Sequence, residues 1–249
     1  MRNQMIAIAA ADGVAEAYVT SPGEGTFPSV LFYIDAIGLR PRTKAMADRI
    51  AGWGYTVLVP NVFYRDGTAA DLAPTEDLRV PENRETFFQG AMKRVGGHTS
   101  DQSAADLEAY VAALQDLRTA RAGDIGVTGY CMGGRLAFQA ACRRPDLIAA
   151  MGAFHAGRLA TDADDSPHRS AGSARAELFF GHADQDRSNP AEAIAILEAA
   201  LDHAGVTYAS EVFAGAAHGY TMADTSSYHE AATERHFREL EALFARNLS

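Results

Sequence analysis

Gly129-Tyr130-Cys131-Met132-Gly133-Gly134 is the stretch that decides the reading. An apolar run, Ile125–Gly129, precedes it, and a helical pattern, Arg135 to Cys142, follows it. Strand, tight turn, helix is the setting of a nucleophile elbow, in which the reactive residue stands on a strained turn. Here cysteine takes the place usual for serine. Bulky side chains two residues to either side would collide with the adjoining strand and helix, which accounts for the glycines. The helix that follows points its N-terminus at the sulfur, an arrangement that favours thiolate. A dinucleotide fingerprint needs G-x-G-x-x-G and a phosphate loop needs Gly-Lys-Ser/Thr, and the stretch satisfies neither. A buried, inert cysteine in a glycine-rich turn is the plain alternative.

The rest of the chain fits an alternation of strands and helices. Continuous apolar runs at Ser29–Ile34, Tyr55–Val59, Ile125–Gly129, Ile148–Phe154, Glu177–Phe180 and Tyr208–Phe213 predict buried parallel strands. Weaker runs at Met5–Ala9 and Ala15–Thr20 flank Asp12-Gly13 and predict an antiparallel edge hairpin. Thr99 with Gln102 resembles a capping box opening a helix that carries Leu107, Tyr110, Val111, Leu114 and Leu117. Asn189-Pro190 predicts a helix start and Gly205 its end; a last helix runs from about Ser227 to Asn247. Residues 61–97 are polar and irregular and read as a loop, either solvated or a lid over a site.

With 249 residues, the chain is long enough for one large α/β domain, here taken as 1–249. Its net charge of −10, without any basic run, argues against nucleic acid and anionic membrane surfaces as partners. No apolar run approaches a membrane span, and the N-terminus makes a weak signal peptide. Two cysteines, Cys131 and Cys142, exclude a disulfide framework and a Cys-rich metal site and point to a reducing cytoplasm. Cys142 lies in a helix body and reads as core.

A nucleophile elbow of this kind is followed in chain order by an acid and then a histidine. The acid belongs just after the next-to-last strand, where Asp184 lies four residues past Phe180, with Asp186 as competitor. The histidine belongs in the loop after the last strand, where His218 stands. Of the other seven histidines, His203, His229 and His236 read as solvated helix residues. His155 follows a strand and could line a pocket, and His182 could support the Asp184 loop. His98 and His168 lie in loops.

These pieces resemble the dienelactone hydrolase family. The resemblance rests on Phe32 to Arg40, Gly54 to Asn61, the Cys131 elbow, Gly181 to Asp184 and Ala217-His218-Gly219-Tyr220, and it covers nearly the whole chain. It implies an α/β-hydrolase fold with a mostly parallel eight-stranded sheet, and a Cys131–His218–Asp184 triad. It also implies an oxyanion hole from the backbone N–H groups of Met132 and Ala36, with Asp35 where the family's nucleophile-facing carboxylate stands. Met222 occupies the place of a substrate-holding arginine, which implies a less anionic or differently held substrate. Pocket candidates are Ile37, Phe63, Tyr64, Tyr130 and Tyr220. The implied activity is hydrolysis of a small ester or lactone by a monomer or small homo-oligomer, with no metal or organic cofactor. A thiol redox sensor and a non-catalytic binder are the competing readings.

Overall fold

The computed structural model describes residues 1–248. One eight-stranded sheet runs through the chain in the order β1-β2-β4-β3-β5-β6-β7-β8. Strands β1 (Arg2–Ala10) and β2 (Gly13–Ser21) form the expected edge hairpin, and β2 also pairs antiparallel with β4 (Thr56–Pro60). The remaining strands are parallel: β3 (Phe27–Tyr33), β4, β5 (Ala120–Tyr130), β6 (Ile148–Phe154), β7 (Glu177–Ala183) and β8 (Tyr208–Phe213). All five residues of β4 and nearly all of β6 and β7 are buried, as continuous apolar runs require of strands covered on both faces.

Two helix layers provide that cover. Helices α1 (Pro41–Gly52) and α6 (Glu230–Asn247) pack together on one face, where Trp53, which caps α1, meets Phe237 edge-on at 5.9 Å. On this side Gly126 of β5 leaves room for Phe244 and Leu248; its neighbours Ile125 and Val127 point to the opposite face by strand alternation. The other helices are α2 (Pro81–Gly97), α3 (Ser100–Gln115), α4 (Met132–Arg143) and α5 (Ala191–Ala204). The capping box at Thr99 and Gln102 is formed, and Gly205 ends α5 in the left-handed conformation at φ 65°.

Three expectations need correction. Residues 81–97 are helical rather than irregular, opened by Pro81 at a first-turn position where its missing N–H costs nothing. Asn189 does not cap α5; its amide meets His182 Nδ1 at 3.1 Å instead. His236 is fully buried rather than solvated. Its Nδ1 donates to the Thr233 carbonyl at 2.8 Å, so Nε2 is left to accept from the Tyr130 hydroxyl at 2.9 Å.

That burial has a consequence for acid stability. Desolvation pushes His236 down to about 3 and His182 down to about 4, and lowers His155 well below the ordinary histidine range. Unfolded histidines titrate near ~6.5. Below that pH the unfolded chain takes up protons that the folded chain refuses, so stability falls as pH falls. Urea unfolding followed by circular dichroism is expected to show a midpoint that drops steadily from pH 7 toward pH 4. The cumulative loss is several kcal/mol, at roughly 1.4 kcal/mol per unit of depression per group. A flat midpoint across that range would show that these rings are not held neutral.

Candidate active site

Cys131 stands between β5 and α4 with φ 57° and ψ −122°, a strained setting for a residue with a side chain. Its N–H donates to the Phe154 carbonyl at 3.1 Å, which ties the elbow to β6. The glycines around it are sterically required: a Cβ on Gly129 would lie 1.9 Å from the Gly133 carbonyl oxygen, and one on Gly133 would lie 2.5 Å from that of Tyr33. The sulfur is partly exposed, whereas Cys142 is buried in α4.

His218 sits in the loop between β8 and α6, with Gly215 and Gly219 at positive φ on either side. Its Nδ1 meets Asp186 Oδ2 at 2.6 Å. The other carboxylate oxygen of Asp186 accepts from the Ser188 N–H at 2.8 Å and hydroxyl at 2.7 Å, and the residue is buried. Burial alone would raise this carboxyl, but His218 and Ser188 outweigh it and hold it below the ordinary range. His218 shows the reverse balance. Desolvation works against its imidazolium, yet the Cys131 sulfur and the Asp186 carboxylate prevail and push it up to about 10. With Nδ1 committed to Asp186, Nε2 is the nitrogen left for the sulfur. The stability this group contributes is fully present below ~6.5 and is lost only as pH rises through the folded value, so it does not offset the acid loss of the buried rings.

The carboxylate at His218 is therefore Asp186 and not the expected Asp184. Strand β7 continues to Ala183, beyond the apolar run that ends at Phe180, so Asp184 is still at the strand exit. There it accepts from the Gly215 N–H at 2.8 Å and its own N–H donates to Ala216 O at 2.8 Å, stitching β7 to the histidine loop. His182 supports the same region through Ser210 and Asn189.

Asp35 lines a small cavity with Cys131, Ile37 and Met222, but its carboxylate is committed elsewhere. Arg40 grips it at 2.6 and 3.1 Å, and the Ile37 N–H donates to it at 3.1 Å. Arg40 also reaches Asp224 at 2.5 Å and the Met222 sulfur at 3.3 Å. No hydrogen bond joins Asp35 to Cys131 among the described residues. The Ala36 and Met132 N–H groups likewise take no protein acceptor among the described residues. Arg94 fixes the loop of Ala36 by donating to its carbonyl at 2.8 Å.

Four pocket candidates do not line the cavities at the sulfur. Tyr130 is buried against His236, and Tyr220 is buried with its hydroxyl donating to Gly181 O at 3.1 Å. Phe63 is buried beneath the Arg94 guanidinium, and Tyr64 donates to Asp106 at 2.8 Å. The hydroxyls of the three tyrosines find partners distant in sequence, which local patterns do not reveal. The cleft above Cys131, about 800 Å³, is walled instead by α2, α4 and the loops after β6 and β7. Helix α2 presents Arg84, Phe88 and Met92, spaced four apart on one face. That period was the signal available in residues 61–97, masked there by Gly90 and Gly96-Gly97. His155, fully buried with φ 38°, packs edge-on against His218 at 5.3 Å and bonds Thr221 at 2.8 Å.

A family model for the dienelactone hydrolase family matches residues 15–248. The chain belongs to this family. A Methylorubrum extorquens protein named "Putative carboxymethylenebutenolidase" is 27% identical over 239 residues, covering 94% of this chain and 77% of its own. An Escherichia coli protein of the same name is 27% identical over 224 residues, covering 88% and 77%. Among solved structures, a "Putative Dienelactone Hydrolase" from Klebsiella pneumoniae superposes with a TM-score of 0.82 over 98% of both chains at 24% identity. That likeness shows the α/β-hydrolase fold. Within this dienelactone hydrolase family member, no helix is long and apolar enough to cross a membrane among the described residues.

Proposed function

We propose that the protein hydrolyses a carboxylic ester or lactone through a thioester on Cys131, with His218 as base and Asp186 as its orienting acid. The observation that carries this reading is His218 itself, held by Asp186 at 2.6 Å on one nitrogen and neighbour to the Cys131 sulfur on the other side. His218, held up to about 10, already carries its proton beside the sulfur at neutral pH, and the sulfur attacks the carbonyl carbon. The Ala36 and Met132 N–H groups, free of other acceptors, receive the tetrahedral oxyanion; each such donor is worth roughly 3 kcal/mol in comparable enzymes. Collapse breaks the carbon–oxygen bond, and His218 returns its proton to the departing oxygen. Water then enters, loses a proton to His218, attacks the thioester carbonyl and expels the sulfur, which is left beside the protonated imidazole as at the start. Asp35, gripped by Arg40, takes no part in these transfers.

The first test is alkylation of the protein at neutral pH while turnover of a chromogenic ester such as 4-nitrophenyl butyrate is followed. Reactivity follows access and thiolate content. Cys142 is buried, and desolvation pushes its thiol up to about 12. Iodoacetamide is expected to modify Cys131 first, with activity lost in step with its labelling by peptide mass spectrometry. Full activity after complete labelling of Cys131 would refute the reading, and so would an intact protein that turns over no ester or lactone.

A further inference from the structure

The loop that carries Ala36 is held by side chains from two directions. On one side Asp35 closes the turn: its Oδ1 accepts from the Ile37 N–H at 3.1 Å, and its carbonyl accepts from the Gly38 N–H at 3.2 Å. Arg40 holds Asp35 in turn and donates to the Gly38 carbonyl at 3.0 Å. The carbonyls of Ala36 and Ile37, two buried residues, take no part in that arrangement. Arg94 Nη2 donates to both, at 2.8 and 3.2 Å, and neither carbonyl has another donor among the described residues. The peptide between Ala36 and Ile37 is therefore gripped at both ends, its oxygen by Arg94 and its N–H by Asp35. With β3 fixing the chain before it, the Ala36 N–H has little freedom to turn.

Arg94 comes from the last turn of α2, 58 residues along the chain from Ala36. Its guanidinium lies over the Phe63 ring at 5.0 Å and within 5.4 Å of the Phe87 ring, and these aromatic contacts hold it in place. The side chain is half-buried, its Nε has no partner, and no carboxylate comes within ion-pair distance among the described residues. Desolvation weakens its hold on its proton, with the more distant Asp66 and Asp35 charges acting the other way. A charge withdrawn from water without a counter-ion is costly. What it gains here is a pair of charge-assisted bonds, stronger than neutral ones, to two carbonyls of one loop. Unlike Arg84, Arg94 lines neither the large cleft nor the small cavity beside Cys131, so it is not placed to touch a substrate. Its helix is: Phe88 and Met92 line the cleft, although Ala91 is the only buried residue of α2. Arg94 thus ties a helix that walls the cleft to the loop that carries an oxyanion donor.

We infer that Arg94 is a positioning residue for acyl transfer: it holds the Ala36–Ile37 peptide so that the Ala36 N–H meets the oxyanion, and it makes that donor depend on the seating of α2. This deepens the hydrolase reading, on which it rests.

Two reactions of the same sulfur separate this role from a packing role. Hydrolysis of 4-nitrophenyl butyrate passes through an oxyanion; alkylation by iodoacetamide, a displacement at saturated carbon, does not. Arg94→Met keeps the stem and removes the donors. Its kcat is expected to fall about 10- to 50-fold with KM within about twofold, short of the roughly 10²- to 10³-fold loss of an entire oxyanion donor. Arg94→Lys can still donate to one carbonyl and is expected to lose about threefold. In both variants the alkylation rate of Cys131 is expected to stay within about twofold of wild type, and the alkaline limb of the pH–rate profile to stay in place. Lys93→Met, an exposed change on the same turn, is expected to keep the wild-type kcat. An unchanged kcat in Arg94→Met would overturn the inference. So would turnover and alkylation falling together, which would show that the elbow itself had moved. If thermal unfolding finds Arg94→Met unfolded, Arg94→Lys decides by the same split. A wild type that alkylates at Cys131 yet cleaves no ester would overturn the hydrolase reading and the inference with it, whereas wild-type turnover without the split in the Arg94 variants overturns the inference alone.

Discussion

Cys131→Ala is expected to lower kcat/KM for an activated ester by about 10⁴-fold or more, while the protein keeps its fold. Removing a nucleophile from an acyl-transfer triad costs on that scale because the remaining members act only through it. What remains would come from the oxyanion donors and cleft binding, and proceeds by direct attack of water. The fold should survive because Cys131 is only partly buried and the turn is held by the Cys131 N–H to Phe154 O bond and by glycine packing. Cys142→Ala serves as the comparison. That thiol is buried in α4, away from the cleft, so its loss is expected to cost stability of about 1 kcal/mol and leave kcat/KM within about twofold. Steady-state kinetics on both variants, with thermal unfolding alongside, checks the pair. Equal losses in the two would show that the effect runs through packing.

Asp186→Asn is expected to lower kcat by roughly 10²- to 10⁴-fold with a small change in KM. An amide in place of the carboxylate no longer fixes the proton on Nδ1, so the imidazole loses the tautomer that leaves Nε2 to take a proton. It also removes the charge that helps hold His218 up to about 10. The group whose charge state the rate depends on would then titrate lower, and the alkaline limb of the pH–rate profile is expected to move to lower pH. Asp184→Asn tests the competing assignment. Its carboxylate accepts from the Gly215 N–H, so the change is expected to loosen the histidine loop and reduce kcat by less than about tenfold with the pH limb in place. A larger loss at Asp184 than at Asp186 would reverse the assignment.

The contrast between these two aspartates shows what the sequence could and could not convey. The elbow was legible because its constraints are steric and local: Gly129 and Gly133 are bare because another backbone occupies the space a Cβ would need. His218 was legible because chain order places it in a particular loop. The carboxylate that meets His218 lies two residues beyond the expected one because Gly181 and His182 look like a loop, whereas the buried His182 ring finds Ser210 and Asn189 and lets β7 run on to Ala183. His236 looked like a solvated helix position, since nothing nearby in sequence announces the Tyr130 hydroxyl, 106 residues earlier, that donates to its Nε2. Helix α2 was missed because its glycines and Pro81 obscured the Arg84, Phe88, Met92 period. The net charge of −10 describes the whole surface, while Arg84, Arg135, Arg158 and Arg187 all line one cleft.

The central claim is that Cys131 carries the acyl group. Its most direct test is rapid acid quenching of the wild type during turnover of 4-nitrophenyl butyrate, followed by intact-mass and peptide mass spectrometry. A butyryl adduct on the peptide containing Cys131 is expected, labile to hydroxylamine as a thioester is and absent from Cys131→Ala. Turnover with the adduct on another residue, or undiminished turnover by Cys131→Ala, would contradict the assignment of Cys131 as nucleophile.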